Sequence, residues 1–195
     1  MIKELISFTH ELFPSINPYT AEQAKRALDQ FEITGRTHQY FFSRPFSFLV
    51  QGDIIGDLSF IKYQPDGQQT ILKTKGILIS NTCSSDKDKQ IVFSPLISLN
   101  EVEEEVRSSV IGNKIFRLLY YPDQHFPDHV IDLSIVNSFP TELIYTGLNS
   151  QKFIKYASLN TLGYYIFLIK LTVHFLRAED SEVQRDRQEQ YQASL

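Results

Sequence analysis

The stretch 51–96, QGDIIGDLSFIKYQPDGQQTILKTKGILISNTCSSDKDKQIVFSPL, constrains what the rest of the chain can fold into. Short runs of Ile, Leu, Val and Phe alternate in it with turn-forming residues, and β-branched and aromatic side chains suit a pleated, half-buried surface. The pattern predicts an antiparallel meander. Pro65-Asp66-Gly67 separates the runs 58–63 and 69–73, where Pro presets φ and Gly accepts the positive φ of a tight hairpin turn. A second turn is expected at 84–88, with a strand at 91–93 after it. Between the turns Ile77, Leu78 and Ile79 run without alternation, as in a strand covered on both faces. That strand closes on the polar cluster Ser80-Asn81-Thr82-Cys83, which puts unusual side chains at a strand end.

Helices are expected on either side of the meander. Ile2, Leu5, Ile6, Thr9, Leu12 and Phe13 form one apolar stripe before Pro14, and Thr20 with Gln23 makes a capping box for a second helix burying Ala24, Ala27, Leu28 and Phe31. After Pro95 the period changes: Ser98 and Glu101 form another capping box, Val102, Val106 and Val110 lie on one face, and Gly112 offers a left-handed exit. Its acidic run Glu101, Glu103, Glu104 and Glu105 suits a solvated helix start. Strands resume at 115–121, 129–133 and 151–158. From Asn160 to about Arg177 apolar residues cover most of a helical circumference, which marks a buried helix; Lys170 and His174 interrupt the run, and spanning a bilayer takes about 20 apolar residues. The expectation is an α+β fold: a curled, mainly antiparallel sheet over 47–158 with a helical part at 1–34, an inserted helix at about 99–111 and a buried helix at 160–177. Residues 1–178 would form one globular domain and 179–195 a polar tail. With 195 residues such a domain buries roughly 70% of its unfolded surface. Fifteen Phe, ten Tyr and no Trp make its interior one of large planar groups.

Four places hold candidate functional residues. Residues 35–48 interleave Arg36, His38 and Arg44 with Tyr40, Phe41, Phe42 and Phe46, either as a connector whose aromatics plug the core or as a base-stacking surface. The loop 122–132 carries Asp123, His125, Asp128, His129 and Asp132, but Pro122 and Pro127 favour an extended turn, so no metal and no cofactor is expected there. Asp132, set in an apolar run, must pair with a cation or with backbone donors if it is buried. Gly163, Lys170, His174 and Arg177 fall on one helical stripe, either a solvent edge or a cationic line facing the sheet. At the strand end Asn81, Thr82 and Cys83 stand beside a charged turn, a usual setting for binding. A lone Cys there is a small hydrophobe or a nucleophile waiting for a base.

Charge and cysteine usage narrow the function classes. A net charge of −4 argues against a broad footprint for duplex nucleic acid. One Cys makes no internal disulfide, and the opening residues have no basic segment followed by an apolar one, so a reducing, cytoplasmic setting with no membrane partner is expected.

The order Gly52-Asp53-Ile54, then Lys75 before Ile77-Leu78-Ile79-Ser80, then an apolar strand closing on Pro95 with Ser98 beyond it, resembles the MazF/PemK family over about residues 52–98. The resemblance implies an SH3-like barrel, with Asp53 near the rim that carries Asn81 to Cys83. The family's members cleave RNA without a metal. An Arg-Pro pair in that family is replaced here by Lys75-Gly76, with the spacing to Ser80 shorter by one. As a ribonuclease, the chain would use Lys75 to stabilise charge on the scissile phosphate and Ser80 or Ser98 to assist proton transfer. Lys lacks the bidentate fork of Arg, which weighs against cleavage. The segments RLLYYP, VIDLS and YASLN have the look of prokaryotic accessory proteins. The preferred expectation is an interaction protein, in a toxin–antitoxin or phage-defence setting, that binds a protein or a single nucleic-acid strand through Asp53, Lys75, Asn81, Thr82, Cys83, Lys170, His174 and Arg177; a MazF-like endoribonuclease is the alternative.

Overall fold

The computed structural model describes Arg26 and residues 39–85, 87–123, 125–176 and 180–193. The two helices expected before residue 35, and Arg36, His38 and Arg177, lie outside the described residues.

The meander forms, with longer strands than the sequence pattern suggests. Strands β1 (Ile54–Tyr63) and β2 (Gln69–Leu78) make an antiparallel hairpin that absorbs both of the runs expected on its second arm. Its turn closes as the sequence requires: Gly67 has φ +83°, its N–H donates to the Gln64 carbonyl at 2.9 Å, and the Asp66 carboxylate accepts from the Gln68 N–H at 3.0 Å. One irregularity redirects β1. Ile55 faces Gly76 and Leu58 faces Thr74, so β1 spends three steps where β2 spends two, and the extra residue is taken up around Asp57, whose φ is +64°. The bulge lets Ile55, Leu58 and Phe60 all join one apolar cluster, although an unbroken alternation would separate Ile55 from Leu58.

Strand β3 (Gln90–Ser98) pairs with β2 on one edge and changes partner along the other. Its first half pairs with β6 (Asn137–Pro140), from Gln90↔Pro140 to Phe93↔Asn137, and its second half with β5 (His129–Asp132), from Leu96↔Ile131 to Ser98↔His129. Pro95 stands at the break between the two, where a residue without an N–H interrupts a ladder least. Strands β4 (Leu118–Tyr120) and β7 (Lys155–Ala157) complete an open, seven-stranded antiparallel sheet of order β4-β5-β3-β2-β1-β7, with β6 beside β3. The ladder does not close into a barrel. Between β1 and β6 the Asn137 side-chain amide stands in for a strand, accepting from the Ile61 N–H at 2.6 Å and donating to the Ile61 carbonyl at 3.2 Å.

Two apolar layers cover the sheet. One contains Ile54, Ile77, Leu96 and Ile131 under Tyr40, Phe41, Phe126 and the helix residues Ile166 and Phe167. The other contains Ile55, Leu58, Phe60, Leu78, Ile91 and Phe93 under α2 (Thr141–Asn149) and Phe153. The inserted helix divides into a 3-10 turn at Leu99–Glu101, capped by the Ser98 hydroxyl, and α1 (Glu104–Ile111). Its exit differs from expectation, because Gly112 has φ −77° and Asn113 takes the left-handed position at +53°. Helix α3 (Thr161–Leu176) starts where the sequence places it, the Asn160 side chain accepting from the Gly163 N–H at 2.9 Å. It buries Gly163, Ile166, Phe167, Ile169, Lys170 and Val173. The tail residues Ser181–Ala193 form an exposed helix, α4. No described helix is long and apolar enough to cross a membrane.

Candidate binding surface at the edge of the sheet

Asp53 anchors this region from beneath. It is fully buried. One carboxylate oxygen accepts from the Lys155 ammonium at 2.6 Å and the Val50 N–H at 2.9 Å, and the other from the Ser158 hydroxyl at 2.6 Å. Lys155 also donates to the Phe48 carbonyl at 2.5 Å, and the Ser158 hydroxyl accepts from the Phe46 N–H at 3.1 Å. Burial raises the Asp53 pKa above its ordinary value, while Lys155, Ser158 and the Val50 N–H pull it back. The carboxylate is thus consumed inside the fold, pinning segment 46–50 along β7.

That pinning has a visible consequence. Tyr40 and Phe41 enter the core, but Phe42, Phe46 and Phe48 remain 42%, 39% and 58% exposed. Their rings form a connected row, with centroids 5.1 Å apart for Phe42 and Phe46 and 5.5 Å apart for Phe46 and Phe48. Arg44 is exposed among them. On either side of Lys155, Ile154 and Tyr156 are exposed too. The Tyr156 ring lies over Gly56, where any Cβ would overlap it, and the Lys75 ammonium sits 5.2 Å from the Tyr156 ring centroid. Within the described part of this stretch, residues 39–48, Tyr40 and Phe41 plug the core as the connector reading expects, while Phe42, Phe46 and Phe48 form an open aromatic ledge.

Lys75 also looks toward a histidine. By strand alternation Lys75 shares the face of Ile77, Ser98 that of Leu96, and His129, opposite Ser98, that of Ile131. Burial, and after it the charge of Lys75, lower the His129 pKa, against the opposing pull of Asp128 and Glu101. Its Nδ1 is buried without a partner among the described residues. Ser80 is elsewhere. It lies five residues on from Lys75, two past the end of β2, and its hydroxyl accepts from the Val92 N–H at 2.9 Å. The fold sets Lys75 and Ser98 on one face and leaves Ser80 out.

The strand-end residues are bonded into the fold. Asn81 accepts from the Cys83 N–H at 2.9 Å, and the Thr82 hydroxyl accepts from the Gln51 N–H at 3.0 Å. Gln51 in turn donates to the Ile79 carbonyl at 2.6 Å and accepts from the Tyr164 hydroxyl at 3.0 Å. Cys83 is exposed on the helical turn Thr82–Ser85. Asp53 lies close to this rim in the chain but below the surface.

Neither reading of the Lys170 stripe describes its surroundings. Lys170 is buried, and its three N–H groups donate to the carbonyls of Asn113, Ile115 and Leu118 at 2.7, 2.8 and 3.0 Å. Burial pulls its pKa down to about 7. His174 packs its ring 4.6 Å from that of Phe175.

No family model and no curated protein matches the chain. In the loop 122–132, Asp123 pairs with His125 at 2.7 Å, while Asp132 takes Arg117 at 3.0 Å and the Ser134 N–H at 3.0 Å. Asp132 thereby meets the demand the sequence placed on it. Among the described residues no three His, Cys, Asp or Glu side chains converge as metal ligands.

Proposed function

We propose that the protein is an interaction module that takes a protein or a single nucleic-acid strand on the ledge formed by Phe42, Phe46 and Phe48. The observation that carries this reading is the connected row of three exposed rings on a backbone held rigid by Asp53. Exposed aromatic groups that cannot turn inward favour association, and rings beside a cation such as Arg44 serve apolar side chains and nucleobases alike. A prokaryotic cytoplasm, in a toxin–antitoxin or phage-defence system, is the setting we propose, on the sequence resemblances and the single cysteine. The test is a Phe46→Ser/Phe48→Ser double variant, compared with wild type in co-purification and in fluorescence anisotropy with oligouridylate. Partner recovery or oligonucleotide affinity is expected to fall at least tenfold with the melting temperature unchanged; equal binding by both proteins would refute the reading.

A second reading, a metal-independent endoribonuclease, is favoured by the shared face of Lys75, Ser98 and His129. A histidine with a lowered pKa is neutral at pH 7 and can accept a proton from a ribose 2′-hydroxyl, while Lys75 supplies positive charge for the phosphate. On this reading cleavage fades as pH falls through the His129 pKa, and Lys75→Ala and His129→Gln each abolish it. Cleavage of a labelled RNA that persists in both variants contradicts it.

A further inference from the structure

A groove of about 600 Å³, which none of the ledge rings lines, is lined by Asp57, Leu58, Ser59, Lys73, Phe139, Leu143, Lys152 and Phe153. We propose that it receives the carboxy-terminal end of an extended peptide whose last side chain is apolar. Three independent features converge on that occupant.

The first is an unpaired length of strand edge. The Gly56 N–H is taken by the Ile154 carbonyl at 2.8 Å, and both backbone groups of Ile61 are taken by the Asn137 amide. Since Ile61 directs its N–H and carbonyl away from β2, antiparallel alternation directs those of Ser59 the same way. Ser59 has no partner beyond the β1–β2 ladder among the described residues. Gly56 to Ile61 spans roughly 16 Å, room for about three residues of added strand. At the Gly56 end the bonded Ile154 blocks a strand passing straight through, so an occupant that enters over Asn137 has to end in the groove.

The second feature is the floor. Leu58, Phe139 and Phe153 are buried beneath the opening, and Leu143 on α2 stands exposed at its side. Such a surface accepts one apolar side chain in a largely preformed site.

The third is charge. Asp57, held in its left-handed conformation by the bulge, has Lys73 as a partner at 3.9 Å. Lys152 has no carboxylate partner among the described residues; its ammonium lies 5.8 Å from the Phe153 ring centroid, and it precedes by two residues Ile154, whose carbonyl takes the Gly56 N–H. A terminal carboxylate at Lys152 sets the direction of the peptide, antiparallel to β1, with its last side chain on Phe153 and its backbone on Ser59.

The experiment is selection of the full chain against a peptide library displayed with free carboxy termini, followed by anisotropy on a fluorescein-labelled hexapeptide from the enriched set. Enriched peptides should end in an apolar residue. Amidating the carboxylate should weaken binding at least tenfold, and Lys152→Glu should do the same, with the amidated peptide indifferent to that substitution. Lys152 is exposed, so the variant folds, and an unchanged melt verifies it. The Phe46→Ser/Phe48→Ser protein should bind the hexapeptide as wild type does, which separates this site from the ledge. Absence of enrichment, equal binding of acid and amide, or indifference to Lys152→Glu would each overturn the proposal.

Discussion

Asp53 and Lys170 are both buried ions, and each is tolerated because every polar atom it offers finds a partner. Asp53 has Lys155, Ser158 and the Val50 N–H; Lys170 has three carbonyls, one for each of its protons. Removing one member leaves the others stranded. Asp53→Ala should therefore cost about 3 kcal/mol, a large share of the ~5–15 kcal/mol that holds a domain together, and it should loosen the 46–50 segment. Urea unfolding together with hydrogen exchange at Phe46 and Phe48 checks both effects. The pH behaviour of Lys170 follows from its depressed pKa, about 7 against an ordinary 10.5. Between those values the unfolded chain holds the proton and the folded chain has released it, so stability rises with pH from about 7 towards 10.5, by up to about 1.4 kcal/mol per pH unit, and the penalty is fully present below 7. In Lys170→Met that slope should vanish; chemical melts at pH 7, 8 and 9 on both proteins measure it. The sequence shows Lys170 as part of a helical stripe, but its carbonyl partners come from residues 113–118, more than fifty positions earlier, a contact no local pattern contains.

At the scale of elements, what the sequence revealed was whatever local chemistry decides. The hairpin turn at Gly67 and the Asn160 cap depend on residues within a few positions of one another, and the apolar run around Asp132 sets its demand for partners locally although Arg117, fifteen residues away, helps to meet it. Elements fixed by distant pairing escaped notice. Strand β6 is four residues long and holds a Pro, and α2 buries only Ile144 and Gly147, the latter because the Phe153 ring occupies the space a side chain would need. Neither carries a strong period. Asn137, which fixes β6 against β1, is likewise ordinary in the sequence. Because its amide replaces two ladder bonds, Asn137→Ala should cost about 1–2 kcal/mol, and Asn137→Asp, which keeps the acceptor and loses the donor, about half of that. Thermal melts of the two variants test the order. Gly67→Val should cost about 1–2 kcal/mol, since its φ of +83° is strained for a branched side chain.

For the whole molecule, the chain assembles two surfaces from remote segments. The ledge ties residues 42–48 to Lys155 and Ser158, and the groove unites 57–59 and 73 with 139–143 and 152–153. Of the residues singled out from the sequence, Lys75 sits over the Tyr156 ring, Ser98 shares the face of Lys75, and Asn81 and Thr82 brace the turn after β2. Phe46 was visible as an aromatic next to cations; that its ring stays outside while Phe41 enters the core depends on Asp53 and Ser158, which are more than a hundred residues apart. The proposed function requires that partners touch the ledge. Site-specific photocross-linking tests it directly, with benzoylphenylalanine placed at Phe46, at Phe48 and, as a control, at Ile71, which is 72% exposed on the β1–β2 hairpin. Adducts formed in cells of a prokaryotic host from positions 46 and 48 and not from 71 are the predicted result; adducts from 71 alone, or equal yields from all three, would contradict it.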